Sequence, residues 1–311
     1  MELLFSSNPY SLHTLTVLFI QSMQHKKILE NGIAHIAILI AILLISIIAI
    51  VLISFKNSNN NQQISNQQIS KLVVFLPSPT PIAHYFQPSI KQGDSYTIIF
   101  VGDSMIDSLG DNFDNLRQDL EDYYPNTVFG LFNYGYGSTN ILSLKERLNS
   151  ETTYGDKTNE AILDRFLDII IIGSFGHNPL SDLPLEKGLE IQTEVLDDIV
   201  LQLVTEKPNT LIVFLAEFAP SENNYAKGVV DLNPQQRSIW VNERKAYIKN
   251  HIDYANRHNI PLINVYEKSL VNEDVNLDYI SKDDYIHPSF TGLIFMSKTI
   301  ADFLYNNDIL P

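Results

Sequence analysis

Five short runs of nearly unbroken apolar residues recur along the C-terminal part of the chain: Tyr96 to Val101, Thr127 to Asn133, Ile169 to Gly173, Thr210 to Ala216 and Pro261 to Val265. Each is too short for a buried helix and the right length for a strand covered on both faces. Between them lie Asp114 to Tyr124, Asn140 to Asn149, Gly188 to Thr205 and Pro234 to His258, and Thr291 to Tyr305 follows the last run. Their apolar residues recur at mixed three and four spacings, the signature of amphipathic helices. Strand and helix in alternation predict βαβ units with right-handed crossovers, and hence an α/β fold: a three-layer α/β/α sandwich around a parallel central sheet. In such sheets ligands bind beyond the carboxyl ends of the strands, so the residues that follow these runs are the candidates for chemistry.

The N-terminal third reads differently. From Gly32 to Ser54 there is no Asp, Glu, Lys or Arg, and Ile36 to Ile53 is almost wholly aliphatic. That length spans a bilayer core at ~1.5 Å per residue, and a helix apolar on every face does not suit a soluble core. Residues 32–54 are therefore expected to form a transmembrane helix. His25-Lys26-Lys27 precedes it and an uncharged stretch from Asn57 to Ser70 follows, which orients residues 1–31 toward the cytoplasm and the rest outward. Met23 would make a start for a cleaved signal peptide, with the first 22 residues an upstream mis-start. The apolar run exceeds an h-region, however, and no small-x-small site follows it. Residues 55–94 read as a linker, first low in complexity with a repeated Gln-Gln-Ile-Ser, then Pro-rich from Pro77 to Pro81. A single folded domain is expected over residues 95–311.

Composition narrows the chemistry. The formal net charge of −15 leaves no basic stripe for a nucleic acid, and the absence of cysteine excludes disulfides, thiolate catalysis and cysteine zinc sites. A domain of this size has core enough to stand without disulfides.

The chemistry concentrates in two places. Gly102-Asp103-Ser104 closes the first strand-like run, and Asp284-Tyr-Ile-His287-Pro-Ser lies near the C-terminus. A serine hydroxyl becomes a useful nucleophile when an imidazole accepts its proton and a carboxylate fixes the imidazole tautomer. Ser104, His287 and Asp284 supply those roles, and the x-x-His spacing favours Asp284 over its neighbour Asp283. The nucleophile elbow of α/β-hydrolases requires Gly-x-Ser-x-Gly. Position 106 is Ile, and Gly173-Ser-Phe-Gly176 has no residue between its glycine and serine, so that family is disfavoured.

With these residues in place, the chain resembles the SGNH, or GDSL-type, hydrolases across roughly residues 96 to 304. Gly102-Asp103-Ser104 is similar to their first block. Asn133-Tyr-Gly-Tyr-Gly-Ser-Thr-Asn140 is similar to the second, Gly173-Ser-Phe-Gly-His-Asn178 to the third, and Asp284 to Ser289 to the last. The resemblance implies a flavodoxin-like sheet and Ser104 as nucleophile. It also implies an oxyanion hole built from the backbone N–H of Ser104, the N–H of Gly137, with Gly135 as the alternative, and the side-chain amide of Asn178. The third block departs from the usual Gly-x-Asn-Asp by extra residues between Gly173 and Asn178 and lacks the final Asp. A tetrahedral intermediate independently calls for donors of this kind.

The expected activity is that of a serine esterase acting on acyl esters; an outward-facing, tethered domain suits acyl groups on cell-surface glycans or lipids, and the resemblance implies deacetylation. No metal or organic cofactor is required. An O-acyltransferase using the same three residues and a non-catalytic surface-binding module are the alternatives. Pocket size is expected to depend on the loops Ser181 to Gly188 and Ser221 to Val230. Other polar residues carry plainer expectations: His177 exposed in its loop, Glu217 solvated at a strand end, Asp103 either ordering the turn after the strand or capping a helix, Tyr134 and Tyr136 in ordinary packing. Asp107, Asp111 and Asp114 are too loosely patterned for a metal loop.

Overall fold

The computed structural model describes residues 84–311. The expected transmembrane helix at 32–54, the N-terminal segment and most of the linker lie outside the described residues. No helix among the described residues is long and apolar enough to cross a membrane.

The apolar runs become strands close to where their composition put them. β1 (Ser95–Gly102) and β2 (Val128–Gly135) are followed by a small hairpin, β3 (Thr152–Tyr154) and β4 (Lys157–Asn159). The main sheet resumes with β5 (Ile169–Gly173), β6 (Leu211–Ala216) and β7 (Leu262–Asn264), and a second hairpin, β8 (Leu270–Val271) with β9 (Asp274–Val275), comes after it. The central sheet is parallel throughout, in the order β2-β1-β5-β6-β7. Every residue of β5 and β6 is buried, which is why these strands are uniformly aliphatic instead of alternating.

The helices are α1 (Ser104–Asp107), α2 (Asp114–Tyr123), α3 (Leu144–Asn149), α4 (Leu185–Glu206), α5 (Pro234–His258), α6 (Val265–Lys268) and α7 (Phe290–Asn306). α2 packs on α7, and α4 packs on α3 and α5, giving two helical layers around the sheet. α5 begins and ends where the sequence places it. Asn233 and Gln236 form a reciprocal capping box, Pro234 takes the first turn, and Asn259 closes the helix in the left-handed conformation. α4 starts earlier than the glycine at 188 suggested. Gly188 lies inside the helix because the Tyr247 side chain of α5 occupies the space a Cβ would need.

Packing against the sheet starts before β1. Residues 84–94 carry no helix or strand, yet Tyr85 is buried. Its backbone N–H donates to His258 O at 2.8 Å, and its hydroxyl accepts from Ile212 N–H at 2.8 Å and donates to Thr210 O at 3.3 Å.

The strand order reverses between β1 and β5: the chain passes from β1 to β2 on one side, then crosses to β5 on the other. Segments leaving β1 and β5 therefore diverge above the sheet and leave a crevice, the usual ligand position in open α/β sheets. Ser104 follows β1, Gly137 follows β2 and Asn178 follows β5.

Candidate active site

The turn after β1 is made by Asp103. Its side chain is fully buried, caps α1 by accepting from Met105 N–H at 2.9 Å, and accepts the Asn178 amide on its other oxygen at 2.9 Å. Met105 and Ile106 are buried beneath α1, so the short helix is pinned and Ser104 is left at its first position, partly exposed. An N–H at that position has no intrahelical partner.

The loop before α7 brings the other two residues. Asp284 folds its carboxylate back on the chain, accepting from the N–H groups of Ile286 at 2.8 Å and His287 at 3.1 Å. Its other oxygen accepts from His287 Nδ1 at 2.6 Å. The spacing of three between acid and base follows from this Asx-type turn: the same carboxylate that shapes the loop also meets the imidazole. A hydrogen bond between Ser281 N–H and His287 O at 2.8 Å closes the loop, and Tyr285 takes a left-handed conformation at φ 55°. Burial pushes Asp284 upward, but the hydrogen bonds from His287 and the two backbone N–H groups outweigh it and hold the carboxyl below its ordinary range. With Nδ1–H donating to Asp284, Nε2 is the acceptor, and it lies 2.9 Å from Ser104 Oγ. The three residues thus form one hydrogen-bonded relay from carboxylate to hydroxyl.

Ser104, His287, Gly137 and Asn178 line one cavity of about 440 Å³, with Tyr154, Tyr225, Trp240 and Arg244 among its other walls. A Cβ built on Gly137 would lie 3.7 Å from Ser104 Cβ. Gly135 sits elsewhere. Its N–H donates to the Asn133 side chain at 2.8 Å, and a Cβ there would run into the backbone of Asp107, so this glycine serves close packing of α1 on β2. Asn178 combines two roles, with its N–H closing a turn onto Phe175 O at 3.1 Å and one amide hydrogen on Asp103. The second amide hydrogen is left for the cavity. A larger groove of about 850 Å³ bordered by Glu222, Lys245, Tyr266 and Asp274 shares no lining residue with this one.

No family model and no curated protein matches the sequence. Solved structures do resemble the fold. A protein assigned as a GDSL-like lipase from Parabacteroides merdae superposes with a TM-score of 0.52 at 15% identity, over 71% of this chain and 100% of its own. A gut microbial diltiazem-metabolizing enzyme superposes with a TM-score of 0.51 at 15% identity, over 72% of this chain and 48% of its own. The chain is similar to both in fold. The α/β architecture with a five-stranded parallel sheet is thereby supported from outside the chain as well as within it.

Several residues differ from their sequence-based expectations. His177 is buried, not exposed: one ring nitrogen lies 2.9 Å from Phe218 O and the other 3.1 Å from the Tyr225 hydroxyl. Burial depresses its basicity, so the ring is neutral, donating to the carbonyl and accepting from the phenol. Glu217 is also fully buried, not solvated. It accepts the Ser174 N–H at 2.8 Å and is hydrogen-bonded to the Ser174 hydroxyl. Burial, reinforced by the nearby Asp103 carboxyl, pushes Glu217 up to about 8. Glu217 anchors the loop after β5 through Ser174, and His177, within that loop, ties it to Phe218 after β6.

Arg147 escaped the sequence reading altogether. It is buried with no carboxylate ion-pair partner among the described residues, and donates to Gly102 O at 2.5 Å, Tyr134 O at 2.7 Å and the hydroxyls of Ser143 (2.7 Å) and Thr139. Its guanidinium lies 4.2 Å from the centre of the Tyr136 ring. One side chain thus ties the end of β1 to the end of β2, fixing the loop that carries Gly137 relative to Ser104. A lone arginine in a short helix gives no sequence signal of this. Tyr134 and Tyr136 are both buried, as expected, with hydroxyls engaged by protein partners. Asp107 meets Tyr154, and Asp111 pairs with Lys157. No group of three or more metal-ligating side chains occurs among the described residues.

Proposed function

We propose that this chain is a serine esterase that cleaves acyl esters through an acyl-enzyme. The observation that carries the reading is the relay from Asp284 through His287 to Ser104, with 2.6 Å and 2.9 Å separations. Ser104 Oγ attacks the acyl carbonyl as His287 Nε2 takes its proton, and Asp284 stabilises the imidazolium. The oxyanion meets the N–H of Ser104, the N–H of Gly137 and the free amide hydrogen of Asn178, a donor whose removal typically costs about 3–4 kcal/mol of transition-state stabilisation. Collapse expels the alcohol, protonated by His287. Water then attacks the acyl-serine with His287 as base, and the acid leaves.

The chemistry rests on this geometry and not on the likeness of fold, since one fold hosts many activities. The His287 side chain is 39% exposed, which favours water over a sequestered acceptor in the second step and so hydrolysis over acyl transfer. A compact cavity of about 440 Å³ lined by both polar and aromatic side chains suits a small acyl group on a polar alcohol. Acetylated glycans or lipids of the cell surface are the proposed class. The apolar run at 32–54 supports a single-pass anchor with the catalytic domain outside.

The test is hydrolysis of p-nitrophenyl acetate by the full chain in detergent, with and without an added sugar acceptor, beside Ser104→Ala. Acetate release that needs Ser104 and is undiverted by the acceptor supports the esterase. An acetylated acceptor as main product supports the transferase. Equal activity in Ser104→Ala refutes both.

A further inference from the structure

The Gly137 N–H is already engaged. It donates to the Tyr154 hydroxyl at 2.9 Å, and that hydroxyl donates to Asp107 Oδ2 at 2.9 Å. A Cβ built on Gly137 would sit 2.8 Å from the Tyr154 hydroxyl, 3.7 Å from Ser104 Cβ and 3.9 Å from Asp107 Oδ2, so nucleophile, donor, phenol and carboxylate converge on one spot. Tyr154 comes from the β3–β4 hairpin, which belongs to neither the main sheet nor the four short blocks. Its ring stacks on Tyr136 with centroids 4.7 Å apart. The hairpin base is tied by Thr152 and Asn159 to the Tyr136 hydroxyl, and beyond the turn Lys157 pairs with Asp111. Gly155, at φ 59°, makes the turn immediately after Tyr154.

A phenol has one proton to donate. Here the Asp107 carboxylate takes it, and the phenol oxygen takes the Gly137 hydrogen. The hydroxyl therefore presents no hydrogen toward Ser104 while it covers a donor that the tetrahedral intermediate needs.

Resting on the esterase reading above, we propose that Tyr154 is a gate on the oxyanion hole. In the closed arrangement Asp107 latches the phenol over the Gly137 N–H. Use of the full oxyanion hole requires the phenol to swing on its hairpin so that the substrate carbonyl oxygen replaces it at the Gly137 N–H. The gate sets which esters react efficiently: those whose alcohol portion displaces the phenol gain the third donor, and those too small to do so react with two.

The test compares the full chain with Tyr154→Phe, which keeps the ring on Tyr136 and removes the hydroxyl, and with Asp107→Ala, which removes the latch but keeps the phenol. The readout is kcat/KM on p-nitrophenyl acetate, with Ser104→Ala added to each background. Tyr154→Phe is expected to be faster by about tenfold or more, the worth of a hydrogen bond no longer to be displaced from a developing charge. Asp107→Ala is expected to be faster by a smaller factor, and both gains vanish with Ser104→Ala. Tyr154→Phe slower than the parent would make the phenol a donor and overturn the gate, and an unchanged rate would also overturn it. Both outcomes leave Ser104-dependent hydrolysis, and with it the esterase reading, intact. Absence of any Ser104-dependent hydrolysis in parent and variants alike would instead remove the esterase reading and the gate together.

Discussion

His287 Nε2 and Ser104 Oγ lie 2.9 Å apart although 183 residues separate them in the chain. The two are brought together by different means. Ser104 stands at the end of the strand beside the sheet's reversal of order, and His287 is presented by a loop shaped by its own Asp284 carboxylate. Because the imidazole is oriented at both nitrogens, its work depends on both partners. Ser104→Ala and His287→Ala are expected to lower kcat by roughly 10⁴-fold or more, and Asp284→Asn by about 10⁴-fold. The double variant Ser104→Ala/His287→Ala should be no slower than either single one, because residues that act as a unit do not add. Steady-state kinetics on one ester measures all four.

Asn178 is expected to act at the transition state and not in substrate binding. Asn178→Ala should lower kcat by about 10²–10³-fold with KM little changed. Asn178→Asp should be worse, because it sets a second carboxylate against Asp103 and points negative charge at the oxyanion. Parallel kcat and KM measurements separate these effects from simple loss of affinity.

Glu217 makes stability depend on pH in a direction opposite to most carboxylates. Its group is raised from 4.5 to about 8 by burial and by Asp103. The folded state therefore holds a proton that the unfolded state has lost. That contribution is fully present below about pH 4.5 and is lost as pH rises through about 8. Glu217→Gln, which keeps the shape without the ionisation, should show a smaller loss of stability across that window than the parent chain. Urea midpoints at several pH values, parent against variant, read the difference.

Arg147 reaches the ends of both β1 and β2 with one guanidinium. Arg147→Met would remove the guanidinium donor from Tyr134 O and one of the two donors from Gly102 O, which keeps the Tyr136 N–H at 3.1 Å. At about 1–3 kcal/mol for a buried polar group left without its partner, the loss should be about 1–3 kcal/mol. Activity measured well below the melting temperature should fall as well, since the Gly137 loop loses its tie to β1. Denaturation and activity of the same preparation test both halves.

How much of this was legible in the sequence follows from what burial does to pattern. β5 and β6 are covered on both faces, so Ile169 to Gly173 and Leu211 to Ala216 announce themselves as aliphatic runs. Asp284 and His287 were legible because a three-residue turn couples them locally. The residues supporting the site were not. His177, Glu217 and Arg147 are polar side chains whose burial depends on partners distant in sequence, such as Phe218 for His177 and Gly102 for Arg147. Nothing local distinguishes them from solvated neighbours. The β3–β4 hairpin did carry a signal in the Gly155-Asp156 pair between two Thr-containing segments, a turn dipeptide of the kind that joins short antiparallel strands. Its polar strands, in contrast to the apolar runs, concealed it.

The most direct measurement is where a fluorophosphonate attaches. Incubated with the full chain and mapped by peptide mass spectrometry, the probe should modify Ser104 stoichiometrically, and modification should be nearly abolished in His287→Ala. Labelling at another residue, or equal labelling of Ser104 with His287 removed, would contradict the relay on which the account depends.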